Sequence, residues 1–259
     1  MTQFFNTVLI QPILNLLLWL YDVIPGQDIG IAIIALTVIV KVLLHPLTVK
    51  QIRQQRAMQE LQPKIEEVRN TYKDNREEQA RQLMALYQAE KVNPASSCLP
   101  LLVQLPIFIA LFQVLLNMLK QQDFSLLYSF VPHPGQIDPS LFGFIDLHNP
   151  NYAMAIIAGA VQFIQSQQMF KTGLTKQPPK EVKGSEGAKD ESMAAMMNKQ
   201  MMYIMPVVTV IVGFSLPGGL TLYWLTMSVL TVIQQWYMFK TMPPKEPSGP
   251  PEPHAAPAR

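Results

Sequence analysis

Apolar residues gather in five blocks, near 29–49, 98–118, 152–170, 199–216 and 219–239, each flanked by polar segments. A helix rising 1.5 Å per residue needs about 17–25 residues to cross roughly 30 Å of hydrocarbon, and the blocks have that length. The pattern predicts an all-α, polytopic membrane protein with five transmembrane helices in a core over residues 29–239. A further apolar stretch, residues 3–22, is interrupted by Asn6, Gln11 and Asn15, with Leu9, Ile13, Leu16, Leu17 and Leu20 sharing one side. It is read, within residues 1–28, as an amphipathic helix lying along the membrane interface, with Trp19 and Tyr21 at headgroup level. A sixth span is the alternative. With no Lys or Arg ahead of it and no small-residue cleavage site after it, it is not a standard signal peptide.

Between the first two blocks, residues 50–93 are rich in Gln, Glu, Lys, Arg and Met and nearly free of glycine. This segment predicts a helical hairpin turning near Lys73, Asp74 and Asn75, with Met58, Leu61, Ile65 and Val68 facing Leu83 and Leu86. Pro63 inside the first arm predicts a kink or a late helix start. Residues 172–192 mix Pro178, Pro179, Gly184 and Gly187 with charges and read as a mobile loop. The tail, 240–259, is proline-rich and reads as disordered. Pro217 and Gly218 alone punctuate the last two blocks, which predicts a tight hairpin between them.

Charge then orients the spans. Residues 1–28 hold no Lys or Arg, the 49–97 segment holds nine, 119–150 holds only Lys120, 171–199 holds six, and the tail holds three. The positive-inside rule puts the amino terminus outside and the carboxyl terminus inside, as five spans require. The hairpin is therefore expected in the cytoplasm. Composition agrees with a membrane chain, at 49% hydrophobic and 15% charged. The single cysteine, Cys98, excludes an intrachain disulfide and a thiolate metal cluster.

None of the 18 Asp and Glu residues falls inside an apolar block. Cation-coupled transporters carry intramembrane carboxylates, so that class loses ground. Neither a Walker-type glycine loop nor a His-Glu-x-x-His pair is present, so no cofactor, metal site or hydrolytic enzyme activity is expected. Lys41 is the exception, a cation about 18 Å of helix rise past Ile29 and about 13 Å before Lys50. An ammonium near the bilayer centre costs about 2.5–3.5 kcal/mol on insertion scales unless water or a partner reaches it. Snorkelling to the interface is one answer, and a water-filled cavity is the other. Thr37, Lys41, His45 and Thr48 share one helix face, which favours the cavity. Gln104, Gln162, Gln165, Thr221, Trp224, Ser228 and Thr231 on other blocks are candidates for its opposite wall. Each alone also fits interhelical hydrogen bonding. His45 before Pro46 is read as lying near the interface.

Several segments in order carry a resemblance. TVIVKVLLHPLTVKQ at 37–51, LQPKI at 61–65, MALYQAEKVNP at 84–94, CLPLLVQLPIFIALFQVL at 98–115, PGGLTLYW at 217–224 and VIQQW at 232–236 together resemble the YidC family of membrane protein insertases. The resemblance implies a five-helix core around a hydrophilic groove open to the cytoplasm and lipid, in the bacterial inner membrane. It implies a groove cation, usually arginine, at the position of Lys41, and groove side chains at Trp224 and Gln165. Lysine keeps the charge but loses the bidentate fork. The implied function is integration and folding of membrane proteins. Its implied partners are nascent membrane proteins, the lipid bilayer, a Sec translocon and, through the hairpin, the ribosome, with no specific nucleic acid. A channel or facilitator for a small anionic solute, with Lys41 as the selectivity charge, is the rival reading.

Overall fold

The computed structural model describes residues 2–93, 99–121, 124–172 and 203–241, and it is predominantly helical. Helix α1 spans Gln3–Val23 and contains a π-wound turn at Asn6–Ile10. It is followed by α2 (Ile29–Leu43), α3 (His45–Glu60), α4 (Gln62–Thr71) and α5 (Arg76–Ala89). Helix α6 (Leu99–Leu115) runs on into a π-wound segment, Leu116–Gln121. Then come strands β1 (Ser140–Leu141) and β2 (Ile145–Asp146) and helices α7 (Tyr152–Thr172), α8 (Tyr203–Gly213) and α9 (Gly218–Thr241). The strands pair antiparallel, with Ser140 opposite Asp146 and Leu141 opposite Ile145. The expected mobile loop and proline-rich tail lie almost wholly outside the described residues, although Lys240 and Thr241 belong to α9.

The first predicted span, 29–49, is corrected. Helix α2 stops at Leu43, and α3 leaves it at 64°. Pro46 explains the break, because its ring clashes with the carbonyl four residues earlier and it donates no backbone hydrogen bond. His45 and Thr48 therefore stand on a different helix from Thr37 and Lys41. At its other end α2 is capped by Asp28, whose carboxylate accepts from the Ile31 N–H at 2.9 Å.

The reading of α1 also changes. Ile10, Leu14, Leu17, Leu18, Leu20 and Tyr21 are buried in the protein core, so Tyr21 does not sit among headgroups. Asn15, one of the supposed polar interruptions, is 4% exposed. Its side chain donates to the Gln11 and Leu126 carbonyls at 2.7 and 3.0 Å and accepts from the Tyr128 N–H at 2.7 Å. By length and composition α1 is long and apolar enough to cross a membrane, and α2 with α3 as far as Met58 makes a second such segment if the bent pair is one span. Apolar stretches in α6 and α8 are shorter. Helices α7 and α9, 21 and 24 residues long, have the length but carry Gln162, Gln165, Gln167 and Gln168, or Gln234 and Gln235. Those amides dilute an apolar signal that the sequence pattern alone reads as two clear spans.

Helix α2 lies between α1 and α9, and α9 also packs on α7 and α6. Small residues set these approaches. A Cβ at Gly213 would stand 2.8 Å from that of Ala155, and one at Gly159 would collide with Val210, so α7 and α8 touch almost backbone to backbone. Polar side chains are turned inward, with Thr37, Ser166, Thr209, Thr221, Ser228 and Gln235 all buried. Large apolar ones are turned outward, among them Leu102, Ile156, Val207, Ile211, Ile233 and Trp236. An apolar core that also holds polar side chains, under so many exposed large apolar ones, suits a surface facing lipid.

The hairpin forms as expected, turning after Tyr72 with Asn75 capping α5 through the Glu78 N–H. The chain breaks at Leu61, ahead of Pro63 in the first turn of α4. Leu61 and Ile65 form its small core with Met58, Leu83 and Leu86, joined by Val92, and Lys64 bonds Glu90 at 2.6 Å. Its first arm begins at His45 rather than Lys50, a consequence of the bend.

At the opposite end, residues 124–150 tie the helices together. Asp28 accepts from the Phe142 N–H as well as from α2, and the Gly218 and Gly219 N–H groups donate to Asn149 and Leu147 carbonyls at 3.0 and 2.9 Å. Asp146 accepts from the Asn149 side chain at 2.8 Å and from the His148 and Asn149 N–H groups, and these bonds hold its carboxyl below the ordinary Asp value.

Two outcomes follow. Asn15→Leu should lower stability by about 1–3 kcal/mol, since it strips three backbone groups, the Gln11 and Leu126 carbonyls and the Tyr128 N–H, of a buried partner, and thermal unfolding in detergent would show it. Because the folded-state value of Asp146 is the lower one, its contribution is full above the unfolded Asp value and disappears as pH falls through the folded one. Amide protection at His148 and Asn149 should thus be flat above about pH 4 and decline below it, and Asp146→Asn should remove that pH dependence.

Candidate functional site

Helices α2 and α9 run in the same direction. At their capped ends a Cβ added to Gly219 would lie 3.3 Å from Ile33 Cδ1, which sets the register between them. Two turns further on, Lys41 Nζ donates to Thr231 Oγ1 at 2.8 Å. The Thr231 hydroxyl in turn donates to the Met227 carbonyl at 2.7 Å, so its lone pairs point toward the ammonium. Beyond the bend, His45 Nδ1 and Gln234 Nε2 are 3.0 Å apart, with the Gln234 amide as donor to the ring. Lys41 thus meets a hydroxyl rather than a carboxylate. Its depth is read better from α9 than from the broken α2: Thr231 stands about 20 Å of rise from Gly218 and about 15 Å from Thr241.

The other expected residues divide. Thr37 is fully buried and its hydroxyl bonds back to the Ile33 carbonyl at 2.6 Å, so it closes on its own helix instead of meeting Lys41. Gln104 on α6 donates to the Tyr223 hydroxyl at 2.7 Å. Trp224 is half-buried with its ring edge-on to Phe108, centroids 5.7 Å apart. Ser228 is buried in α9. Gln162 and Gln165 lie half-buried on α7 beside the buried Ser166, and among the described residues no hydrogen bond joins them to Lys41. The structure therefore brings together α2, α6 and α9, and leaves the α7 amides as a separate group. Two shallow concavities lie elsewhere, around Asp138, Ser140 and Gly143 at the β1–β2 end.

Sequence reasoning passed over Tyr223, Gln234 and Gln235 as site members. Tyr223 is 1% exposed and Gln235 4%, and the Oε1 atoms of Gln234 and Gln235 are buried acceptors without a partner among the described residues. The signal was present: Tyr223 adjoins Trp224, and Gln234 and Gln235 fall three and four residues after Thr231, the spacing that shares a helix face.

Tyr223→Phe should remove the hydroxyl that Gln104 Nε2 donates to, costing about 1 kcal/mol in thermal unfolding, whereas Gln104→Met beside it should cost little more in the double variant.

Comparison with known proteins bears on this arrangement. Residues 19–246 match the family model described as 60Kd inner membrane protein. The chain is 34% identical over 213 residues to the membrane protein insertase YidC of Fusobacterium nucleatum, covering 82% of this chain and 87% of that one. It is 36% identical over 235 residues to the protein of that name from Geobacter metallireducens and 32% over 234 residues to that from Nitratidesulfovibrio vulgaris, covering 91% and 90% of this chain but only 37% and 38% of theirs. With nearly the whole chain matched by the model and by relatives of one name, it belongs to the 60Kd inner membrane protein family, the family of the YidC insertases.

Proposed function

We propose that this protein inserts other membrane proteins into the inner membrane, by receiving the polar end of a substrate segment beside Lys41. The observation that carries this reading is the Lys41–Thr231 contact: a half-buried lysine whose side-chain partner is a neutral hydroxyl leaves room for a visiting carboxylate as its counter-charge. A buried carboxylate partner would already have supplied it. On α9 and α6, Trp224, Ser228 and Gln104 add indole, hydroxyl and amide to the polar side of the bundle, and Gln162 and Gln165 add a second group of amides on α7, while the apolar faces of α7, α8 and α9 offer the substrate a path into lipid.

In this mechanism five spans, the bent α2–α3 pair, α6, α7, α8 and α9, enclose a groove open to the cytoplasm. The amino terminus is outside, and the α3–α5 hairpin and carboxyl terminus are inside. The hairpin meets nascent chains, and contact there with a ribosome or a Sec translocon fits its basic surface. A short acidic tail of the substrate enters the groove, where water and Lys41 offset the desolvation that opposes crossing. The membrane potential contributes about 2.3 kcal/mol per charge per 100 mV to moving that tail outward. The apolar segment then leaves sideways, driven by its transfer from water into hydrocarbon. Every step is non-covalent.

Insertion of a single-span substrate with an acidic outer tail into proteoliposomes tests the mechanism. Lys41→Glu should reduce insertion by about tenfold or more, the effect of 1.4 kcal/mol or greater from reversing a charge next to a carboxylate in a partly dehydrated site. Lys41→Arg should stay near wild type, and a substrate with an uncharged tail should be little affected by either change. Equal insertion by wild type and Lys41→Glu would overturn this role for Lys41, and solute flux through substrate-free liposomes would favour an anion facilitator.

A further inference from the structure

The turn between β1 and β2 holds a conformation that costs free energy. Phe142 has φ 55°, in the left-handed region where a bulky side chain is rare, and Gly143 follows at φ 76°. The result is outward projection: Phe142 and Phe144 are 59% and 76% exposed, with their rings stacked at a centroid distance of 6.2 Å. The strained turn is also anchored firmly. Phe142 N–H donates to the Asp28 carboxylate that caps α2, Gly30 faces Leu141 so closely that a Cβ would stand 2.6 Å away, and β2 leads directly into the carbonyls that bond Gly218 and Gly219.

We propose that this hairpin is a membrane-interface anchor, whose Phe142 and Phe144 rings enter the headgroup and acyl boundary of the leaflet at the Asp28–Gly218 end. Three observations select lipid as the occupant. First, the lipid-facing helices supply a ruler. Trp236 and Tyr237, 58% and 63% exposed, form an aromatic pair near the far end of α9 with Lys240 over the Trp236 ring. Such amphipathic rings beside a lysine mark a bilayer interface. Gly218 lies about 27 Å of helix rise before Trp236, close to the roughly 30 Å of a hydrocarbon core. The hairpin bonded to Gly218 is therefore at the level of the second interface. Second, further large apolar side chains are exposed toward that end, Trp19 and Val23 being 50% and 59% exposed on the last turns of α1, which lead into Asp28. Third, the rings are phenyl and carry no polar group, so entering the acyl boundary leaves no donor or acceptor of theirs unpaired. The anchor also has a mechanical consequence. It fixes the depth of Asp28 and Gly218 together, and through the parallel register of α2 and α9 it fixes the depth of Lys41.

This inference rests on membership of a membrane family and not on the insertase reading, and its test is separate from the insertion assay. The full-length chain, carrying Cys98→Ser and either Phe144→Cys or Gln136→Cys, is labelled with a nitroxide and reconstituted into phosphatidylethanolamine and phosphatidylglycerol vesicles. Collision with oxygen and with a water-soluble nickel chelate is read by electron paramagnetic resonance. At position 144 oxygen should dominate, placing the label about 5–10 Å inside the headgroup boundary, whereas exposed position 136 should read as aqueous. Phe142→Gly, which suits φ 55° and so preserves the turn, should move the 144 label outward without loss of thermal stability. Equal chelate access at 136 and 144 would overturn the anchor. So would dipolar broadening between labels at 144 that grows with protein-to-lipid ratio, since it would assign the rings to a second copy of the chain.

Discussion

The parallel register of α2 and α9 is the constraint on which the site depends. An ammonium carried into a low-dielectric interior must find a partner or return to water, and the partner here is one hydroxyl on another helix. A slide of α9 by a single residue would turn Thr231 about 100° away from Lys41. The register is not set near Lys41. It is set at the far end, where Gly219 admits Ile33, where Asn149 and Leu147 take the first amides of α9, and where Asp28 joins α2 to the β1–β2 turn. The segment 124–150 therefore helps set which side chains meet about 20 Å away along α9. Asn15 extends the same logic to α1, which it bonds to the loop carbonyl of Leu126 and the amide of Tyr128.

Much of this was legible from the sequence because it follows from local rules. Segments rich in apolar residues became helices, the Asn75 turn and the Pro63 break appeared where turn and proline chemistry put them, and Lys41 identified itself as a charge among apolar neighbours. Thr231 was legible too, as one of a line of hydroxyls on the last helix. What escaped was tertiary. Thr37 shares a face with Lys41 on α2, yet whether a threonine turns to a neighbour or back to its own carbonyl depends on what stands opposite. The amides of α7 point to a polar interior without revealing that α6 and α9 already satisfy each other through Gln104 and Tyr223. Asn15 looked like a defect in an amphipathic face because its partners lie more than a hundred residues away. The β1–β2 pair, two residues per strand, was too short to leave a period-two signal.

Hydropathy misleads here for a related reason. Helices α7 and α9 fall short of the apolar content of a simple span because of the amides they carry, while α1 meets it although 39% of its most apolar stretch is buried in protein. A bundle with a polar interior must carry polar residues on its spans. The more a helix contributes to that interior, the less it resembles a membrane helix by composition alone.

The bend between α2 and α3 completes the argument. Had α2 continued straight to Lys50, His45 would have followed Lys41 on the same face, and the lysine stem would have had one continuous helix along which to snorkel. Pro46 instead turns the chain by 64° only three residues past Lys41, while α9 continues unbroken for about 15 Å beyond Thr231. The first turn of α3 consequently lies alongside α9 at a depth still within its length, as the His45–Gln234 contact records. Polar groups from both sides, Lys41 and His45 facing Thr231 and Gln234, therefore follow one another along α9 across the bend. A single proline thereby keeps an awkward charge and the imidazole after it against the same helix.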